Sequence, residues 1–247
     1  MKTTGNTILV TGGGSGIGLA LARRWHDAGN NVIITGRNTA KLDAAIAGRP
    51  NMAAVSLDVT DADAIAAFAK EIVAKHPGLN VLVNNAGIMS AEDASAKRDL
   101  TEAEATVVTN ILGPIRLTDA LVDHLAAQAD SAIVNVTSGL AFVPFPKAPT
   151  YSATKAAMHS YSVALRIQLA GKVEVIELAP PAVRTDLTPG QSTREGYMPL
   201  DDFADEVMAL FAQQPTPHEI LVQNVLPLRH AEASGTVPQV LAMLKNL

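Results

Sequence analysis

The sequence predicts an α/β protein: a doubly wound parallel sheet of about seven strands, with helices on both faces in a three-layer α/β/α arrangement. Three observations carry that expectation. Short β-branched runs recur along the whole chain, segments of helical periodicity separate them, and glycines cluster where the first run meets the first helical segment. No linker, internal repeat or low-complexity tract divides the chain, so one domain over residues 1–247 is expected.

The elements follow in order. TILVT at 7–11 reads as the first strand, and a helix over 17–28 places Ile17, Leu21 and Trp25 on one stripe before Gly29 ends it. Strands are expected at 31–35 and 52–57, then a helix over 61–76 capped by Thr60 or Asp61 and stopped by His76-Pro77-Gly78. A strand at 79–84 leads to a long helix over 101–127, opened by a capping box of Thr101 and Glu104 and kinked at Gly113-Pro114. The remaining strands fall at 131–137, 173–179 and 218–223, with a helix at 152–170. The stretch 180–200 is rich in proline, glycine and polar residues, and an irregular segment of that length inside a compact domain points to function.

Composition narrows the classes. Hydrophobic residues make up 48% and charged residues 17%, which suits a chain with ample core. A net charge of −5 without a lysine or arginine cluster argues against nucleic acid as a partner. The chain has no cysteine, which excludes disulfides, thiolate nucleophiles and cysteine-built zinc sites. The N-terminal stretch lacks the apolar length of a secretory signal, and no segment approaches the ~18 apolar residues of a membrane span. A cytoplasmic protein with no membrane partner is expected.

The glycine cluster LVTGGGSGIG carries the first chemistry. Its glycines permit close backbone approach, and the following helix offers free N–H groups and the positive end of its dipole to an anion such as a pyrophosphate. The spacing is T-G-x-x-x-G-x-G, on Thr11, Gly12, Gly16 and Gly18. With NNAG at 84–87, Asn110 in VTNILGP, Ser138 in NVTSGLA and Tyr151 with Lys155 in YSATK, the chain resembles the compact short-chain dehydrogenase/reductase family over roughly residues 7–223. The section from VTSGLAF to ELAPPAVRT is similar to reductases encoded beside D-alanyl-lipoteichoic acid genes.

That resemblance implies a Rossmann-type fold, hydride transfer between a nicotinamide cofactor and a carbonyl or secondary alcohol, and a set of site residues. The cofactor would lie on Thr11, Gly12, Gly14, Ser15, Gly16, Ile17 and Gly18, with Asp58 and Val59 at the adenine, Asn84, Ala86 and Gly87 near the ribose, and Pro180, Val183 and Thr185 at the carboxamide. Asn110, Ser138, Tyr151 and Lys155 would be catalytic, Tyr151 as proton donor, Lys155 also holding the nicotinamide ribose and Asn110 anchoring a proton-relay water. The second strand ends in Gly36-Arg37 where an acidic residue would select NAD, so NADP(H) is the expected cofactor and NAD(H) the alternative. A homodimer or homotetramer is implied as well.

The residue types suit that chemistry. Hydride addition to a carbonyl creates an alkoxide that needs a proton donor, and a phenol of ordinary pKa about 10 needs a nearby positive charge to serve near neutrality. The substrate wall is expected at 88–96, 139–149 and 187–200, with Phe142, Val143, Phe145 and Met198 making it apolar; Lys147 or Arg194 could meet a carboxylate but read as solvated charges. His124 and His159 read as packing or surface residues without ligand partners. Pro181 stands where the family has glycine, and ILVQNVLPLRH replaces the family's usual last-strand ending. A silent NADP(H)-binding sensor and a lyase or epimerase are the competing readings. The complete polar set argues against the first and the short C-terminal region against the second.

Overall fold

The structure, a computed structural model, describes residues 1–246. Seven strands form it: β1 (Thr7–Thr11), β2 (Asn31–Gly36), β3 (Met52–Ser56), β4 (Leu79–Asn84), β5 (Ala132–Val136), β6 (Glu174–Leu178) and β7 (Glu219–Ile220). They make one parallel sheet in the order β3-β2-β1-β4-β5-β6-β7. The order reverses between β1 and β4, and the connections there leave toward opposite faces, which opens a crevice at the carboxyl ends of those strands.

The helices are α1 (Gly16–Asp27), α2 (Thr39–Ile46), α3 (Ala62–Lys75), α4 (Thr101–Val107), α5 (Gly113–Ala126), α6 (Pro149–Gln168), α7 (Leu200–Phe211), α8 (Leu226–Arg229) and α9 (Val237–Lys245). Burial on both faces explains why the strands read as continuous apolar runs. Alternate residues still part to opposite sides. Ile8, Val10, Val32, Ile34, Val81 and Val83 join the core under α1, α2 and α7, where Trp25 and Phe211 meet edge to face at 5.7 Å. Leu9, Ile33 and Leu82 join the other, under α3, α5 and α6. No helix among the described residues is long and apolar enough to cross a membrane.

Several expectations hold with boundaries moved by a residue or two. Gly29 follows α1 at φ +89, and Asp61 caps α3 by accepting from Asp63 and Ala64 N–H. Others need correction. The expected helix 101–127 is α4, a single π turn (Val108–Leu112) and α5, because the wider turn accommodates Pro114, which cannot donate to the ladder. The capping box does not form: Thr101 is the first helical residue, and its N–H and hydroxyl both turn to Asp99 at 3.0 and 2.7 Å. The last strand shrinks to two residues, since Val222 and Val225 pack into the core beside β7 instead of extending its pairing. Helices α2, α7, α8 and α9 were not anticipated. The alanine-rich α2 has a faint periodicity, α7 starts where the irregular 180–200 stretch stops, and the last two are short.

Gly113 sets how closely α5 approaches the crevice, since a Cβ there would stand 2.8 Å from the Val59 carbonyl oxygen. Helix propensity alone would make Gly113→Ala stabilising by ~1 kcal/mol. The backbone clash should outweigh it, giving a net loss of roughly 1–2 kcal/mol and a fall of the thermal midpoint by a few degrees, measured by calorimetry.

Candidate active site

The crevice is a cleft of about 810 Å³. Its floor begins at the turn from β1 into α1. Gly12 adopts φ +65 and Gly16 φ +52. There is no room for side chains: a Cβ on Gly12 would lie 2.9 Å from Ala86 Cα, and one on Gly18 2.6 Å from the Gly12 carbonyl oxygen. Thr11 Oγ1 accepts from the N–H groups of Asn85 and Ala86 at 3.0 Å each, and Asn85 Nδ2 donates back to the Thr11 carbonyl at 2.9 Å. Those bonds clamp the end of β1 to the extension of β4. Ser15 precedes α1 in extended conformation with no side-chain cap bond, so its hydroxyl and the first-turn N–H groups face the cleft uncommitted. A narrow, glycine-walled cradle at a helix N-terminus fits a dinucleotide pyrophosphate.

At the far end the lining is Gly36, Arg37, Asn38, Lys41, Asp58 and Val59. Asn38 caps α2 through Lys41 N–H at 3.0 Å. Asp58 Oδ1 accepts from the Thr60 N–H and hydroxyl at 2.9 and 2.8 Å. Those bonds, chiefly the backbone one, and the nearby Arg37 charge hold its carboxyl below the usual aspartate range against the opposing effect of burial. Arg37 is exposed.

The inner end is built by β5 and α6. Ser138 follows β5 and starts a short 3₁₀ turn, Gly139–Ala141, by accepting from Leu140 N–H at 3.1 Å. Its hydroxyl stands near enough to the Tyr151 side chain to lower the phenol's pKa. Tyr151 and Lys155 lie one helical turn apart on α6, with Lys155 Nζ 5.6 Å from the tyrosine ring centre and 2.9 Å from the Val136 carbonyl oxygen it donates to. Burial dominates both groups. It pushes the Tyr151 phenol up to about 12, against the lowering effect of Ser138, and the Lys155 ammonium down to about 8. Asn110 sits in the π turn, where its amide accepts from Ile88 N–H and donates to the Ile88 carbonyl, both at 2.9 Å. Its Oδ1 and Lys155 Nζ converge on Gly87, where a Cβ would lie 3.3 and 3.6 Å from them.

The structure lines the cleft with every expected site residue except Thr11, Asn84 and Asn110. Thr11 is the clamp just described. Asn84 is buried in the sheet, donating to Thr118 and Asn135, and the neighbouring Asn85 faces the cleft instead. Asn85, inside the NNAG motif, and Gln191, inside the expected wall 187–200, were not singled out in the sequence. Gln191 donates to Val183 O at 2.8 Å and Thr185 Oγ1 at 3.1 Å, fixing the segment that closes the cleft. Glu92 was within the expected wall but not singled out; it accepts from Thr150 N–H at 3.0 Å, from its hydroxyl at 2.7 Å and from Arg98 at 2.7 Å, strapping that wall to the first turn of α6.

The expected apolar wall is corrected. Val143 and Phe145 pack toward Ala231 and Leu244 of the C-terminal region, Met198 joins the main core, and Phe142 lies between His159 and Arg229. Ile88, Met89, Pro181 and Leu187 supply the apolar lining, while Lys147 and Arg194 do not line the cleft. His159 does have acidic company: its Nδ1 meets Glu177 at 2.7 Å, and Glu219 stands within 4.8 Å of the group but is held by two bonds from Arg229. His124 Nε2 meets the Leu79 carbonyl oxygen at 3.0 Å.

A nucleotide-shaped cleft at the switch point, ending in a buried serine, tyrosine and lysine, defines a nicotinamide-dependent oxidoreductase of the Rossmann type. Residues 6–196 match the model of the short chain dehydrogenase family, and the chain belongs to that family. It is 44% identical over 235 residues to DltE of Bacillus subtilis (strain 168), an uncharacterised oxidoreductase, covering 94% of this chain and 93% of that one. It superposes on the 3-ketoacyl-(acyl-carrier-protein) reductase of Brucella melitensis complexed with NADH, at a TM-score of 0.78 and 28% identity, covering 88% of this chain and 96% of that one. A short chain dehydrogenase of Burkholderia cenocepacia J2315 in complex with NADP shares the fold at a TM-score of 0.83, with 24% identity and 99% of both chains covered. The family expected from the motifs is thereby borne out.

Burial of Lys155 has a signature in stability. Between about 8 and 10.5 the unfolded chain holds a proton that the folded chain has released, so this group's contribution to stability rises with pH across that window. Tyr151 acts in the opposite direction only above 10.0. Lys155→Met should flatten the difference in denaturant midpoint between pH 8 and pH 10, measured on cofactor-free protein.

Proposed function

We propose that this oxidoreductase uses NADP(H) to interconvert a carbonyl compound and a secondary alcohol, with Tyr151 as general acid and base. The observation that supports it best is the joint placement of Ser138, Tyr151 and Lys155 at the inner end of a cleft whose other end carries Arg37.

A bound nicotinamide would supply or accept the hydride. Its pyrophosphate would be held by Ser15 and the α1 N-terminus, its adenosine by Asp58, Val59 and Arg37, and its nicotinamide half by Asn85, Gly87, Lys155 and Thr185. Burial keeps Tyr151 in the phenol form and leaves Lys155 cationic at neutral pH, which is the pair that reduction requires. Ser138, whose oxygen already accepts from Leu140, donates its proton to the substrate oxygen and steadies the charge that develops there. Tyr151 then gives its proton to that oxygen, and the Lys155 ammonium stabilises the phenolate left behind. In the oxidation direction the same phenolate takes the alcohol proton.

Asn110 holds the Gly87–Ile88 backbone against α6 with its side chain, a positioning task distinct from the water-anchoring role implied by resemblance. A relay water would have to use its carbonyl oxygen, which Pro114 leaves without an i+4 donor. The NADP(H) preference rests on the absence of an acid at the end of β2 and on two cations, Arg37 and Lys41, lining that corner.

Turnover of NADPH against ketones and aldehydes tests the reading. Tyr151→Phe should lower kcat by about 10²–10⁴-fold with NADPH affinity unchanged in a fluorescence titration, and wild-type turnover would remove Tyr151 from the mechanism. Arg37→Ala should weaken NADPH roughly tenfold and NADH less than about twofold, since the guanidinium is exposed and only part of a charge-assisted bond is realised. Equal weakening of both would assign Arg37 to the surface.

A further inference from the structure

Glu177 is a carboxylate with no exposure, on β6, and nothing in the chemistry above uses it. Its two oxygens reach both halves of the reacting centre. Oε1 accepts from the Thr137 hydroxyl at 2.6 Å, and Thr137 directly precedes Ser138. Oε2 meets His159 Nδ1 at 2.7 Å, and His159 lies one turn past Lys155 and two turns past Tyr151 along α6. The backbone N–H of Thr137 is also tied to Leu178 O at 2.8 Å, so the strand end is held on β6 from two sides. A buried carboxylate is a poor source of stability, because losing its hydration costs about as much as its partners return. Its place between the serine strand and the tyrosine–lysine helix calls for another account.

We propose that Glu177 is a positioning residue that sets the separation of Ser138 from Tyr151, by bridging Thr137 on the strand end to His159 on the catalytic helix. The inference rests on the roles assigned to Ser138 and Tyr151 above. The rest of the surroundings keeps the bridge in one arrangement. Arg229 lies near enough to feel the Glu177 charge, binds Glu219 through two bonds and sits 4.9 Å over the Phe142 ring, which meets the His159 ring in a T-shaped contact at 5.1 Å. The guanidinium so supplies the counter-charge from outside the bridge, leaving both Glu177 oxygens to the two catalytic elements. A misplacement of a reacting group by ~1 Å costs up to about a hundredfold in rate, so a bond that places Ser138 can matter without touching substrate.

Thr137→Val keeps the side-chain shape and removes the donor. It should lower kcat about ten- to hundredfold with KM changed far less and NADPH affinity near wild type, while the thermal midpoint falls by a few degrees because one oxygen of the buried carboxylate loses its donor. Thr137→Ser, which restores the hydroxyl, should recover kcat to within about threefold. Glu177→Gln keeps an acceptor for Thr137 and should retain most activity, whereas Glu177→Met should not. The decisive measurement is the cycle with Ser138→Ala: if Thr137 acts through Ser138, adding Thr137→Val to that variant lowers kcat no further. Multiplying effects, or a Thr137→Ser variant as impaired as Thr137→Val, would overturn the proposal while Tyr151→Phe and Ser138→Ala still report on the catalytic roles. Full activity in those two variants would overturn the catalytic reading and the bridge with it.

Discussion

Everything at the carboxyl edge depends on how closely the end of β1 lies against the extension of β4. Thr11 is joined to Asn85 by two bonds and to Ala86 by one, all of 2.9–3.0 Å, across that gap. The approach is possible only because Gly12 and Gly18 put no carbon where Ala86, Asn85 and Gly12 O already stand. The same compression leaves Ser15 and the first N–H groups of α1 pointing outward. A cradle of a shape and polarity that suit an anion arises there because the chain is too crowded for side chains and the helix start carries no side-chain cap.

The opposite end of the cleft is governed by burial of charge. Tyr151 and Lys155 are withdrawn from water, which favours the neutral form of each. The outcome is asymmetric: a phenol moved further above neutrality stays protonated, while an ammonium lowered to about 8 is still largely charged at neutral pH. Ser138 works against burial and holds the phenol lower than burial alone would. Helix α6 must then be held still, and Glu92 does so from the neighbouring loop by binding Thr150 twice at its first turn.

The departures from the family pattern converge behind the cleft. Pro181 lines it, and Gly139 N–H is fastened to Pro180 O at 2.8 Å. Gly139 itself is crowded by Val225 and Leu228 of the unusual C-terminal stretch. The turn after α8 and helix α9 bring Ala231 and Leu244 under Val143 and Phe145, so aromatic and aliphatic residues that look like a substrate wall are spent on an internal cluster. The cleft keeps a smaller apolar lining from Ile88, Met89, Pro181 and Leu187.

The alternation of strands and helices, the glycine spacing and the order of Asn110, Ser138, Tyr151 and Lys155 were readable from the chain, because each is a local pattern with a local physical cause. A β-branched run is a strand wherever it is buried, and glycines at a strand end permit close approach in any fold. What tertiary structure alone decided is where shared patterns point. Asn84 and Asn85 are adjacent and identical in type, and only the pleat sends the first into the sheet and the second to the cleft. Val222 reads as a strand residue, yet the core it enters lies beside β7 and not in its ladder. His159 reads as a lone helix histidine, since Glu177 and Glu219 come to it from strands far along the chain. Such meetings depend on distances between elements, and those are set by packing that no short stretch of sequence encodes.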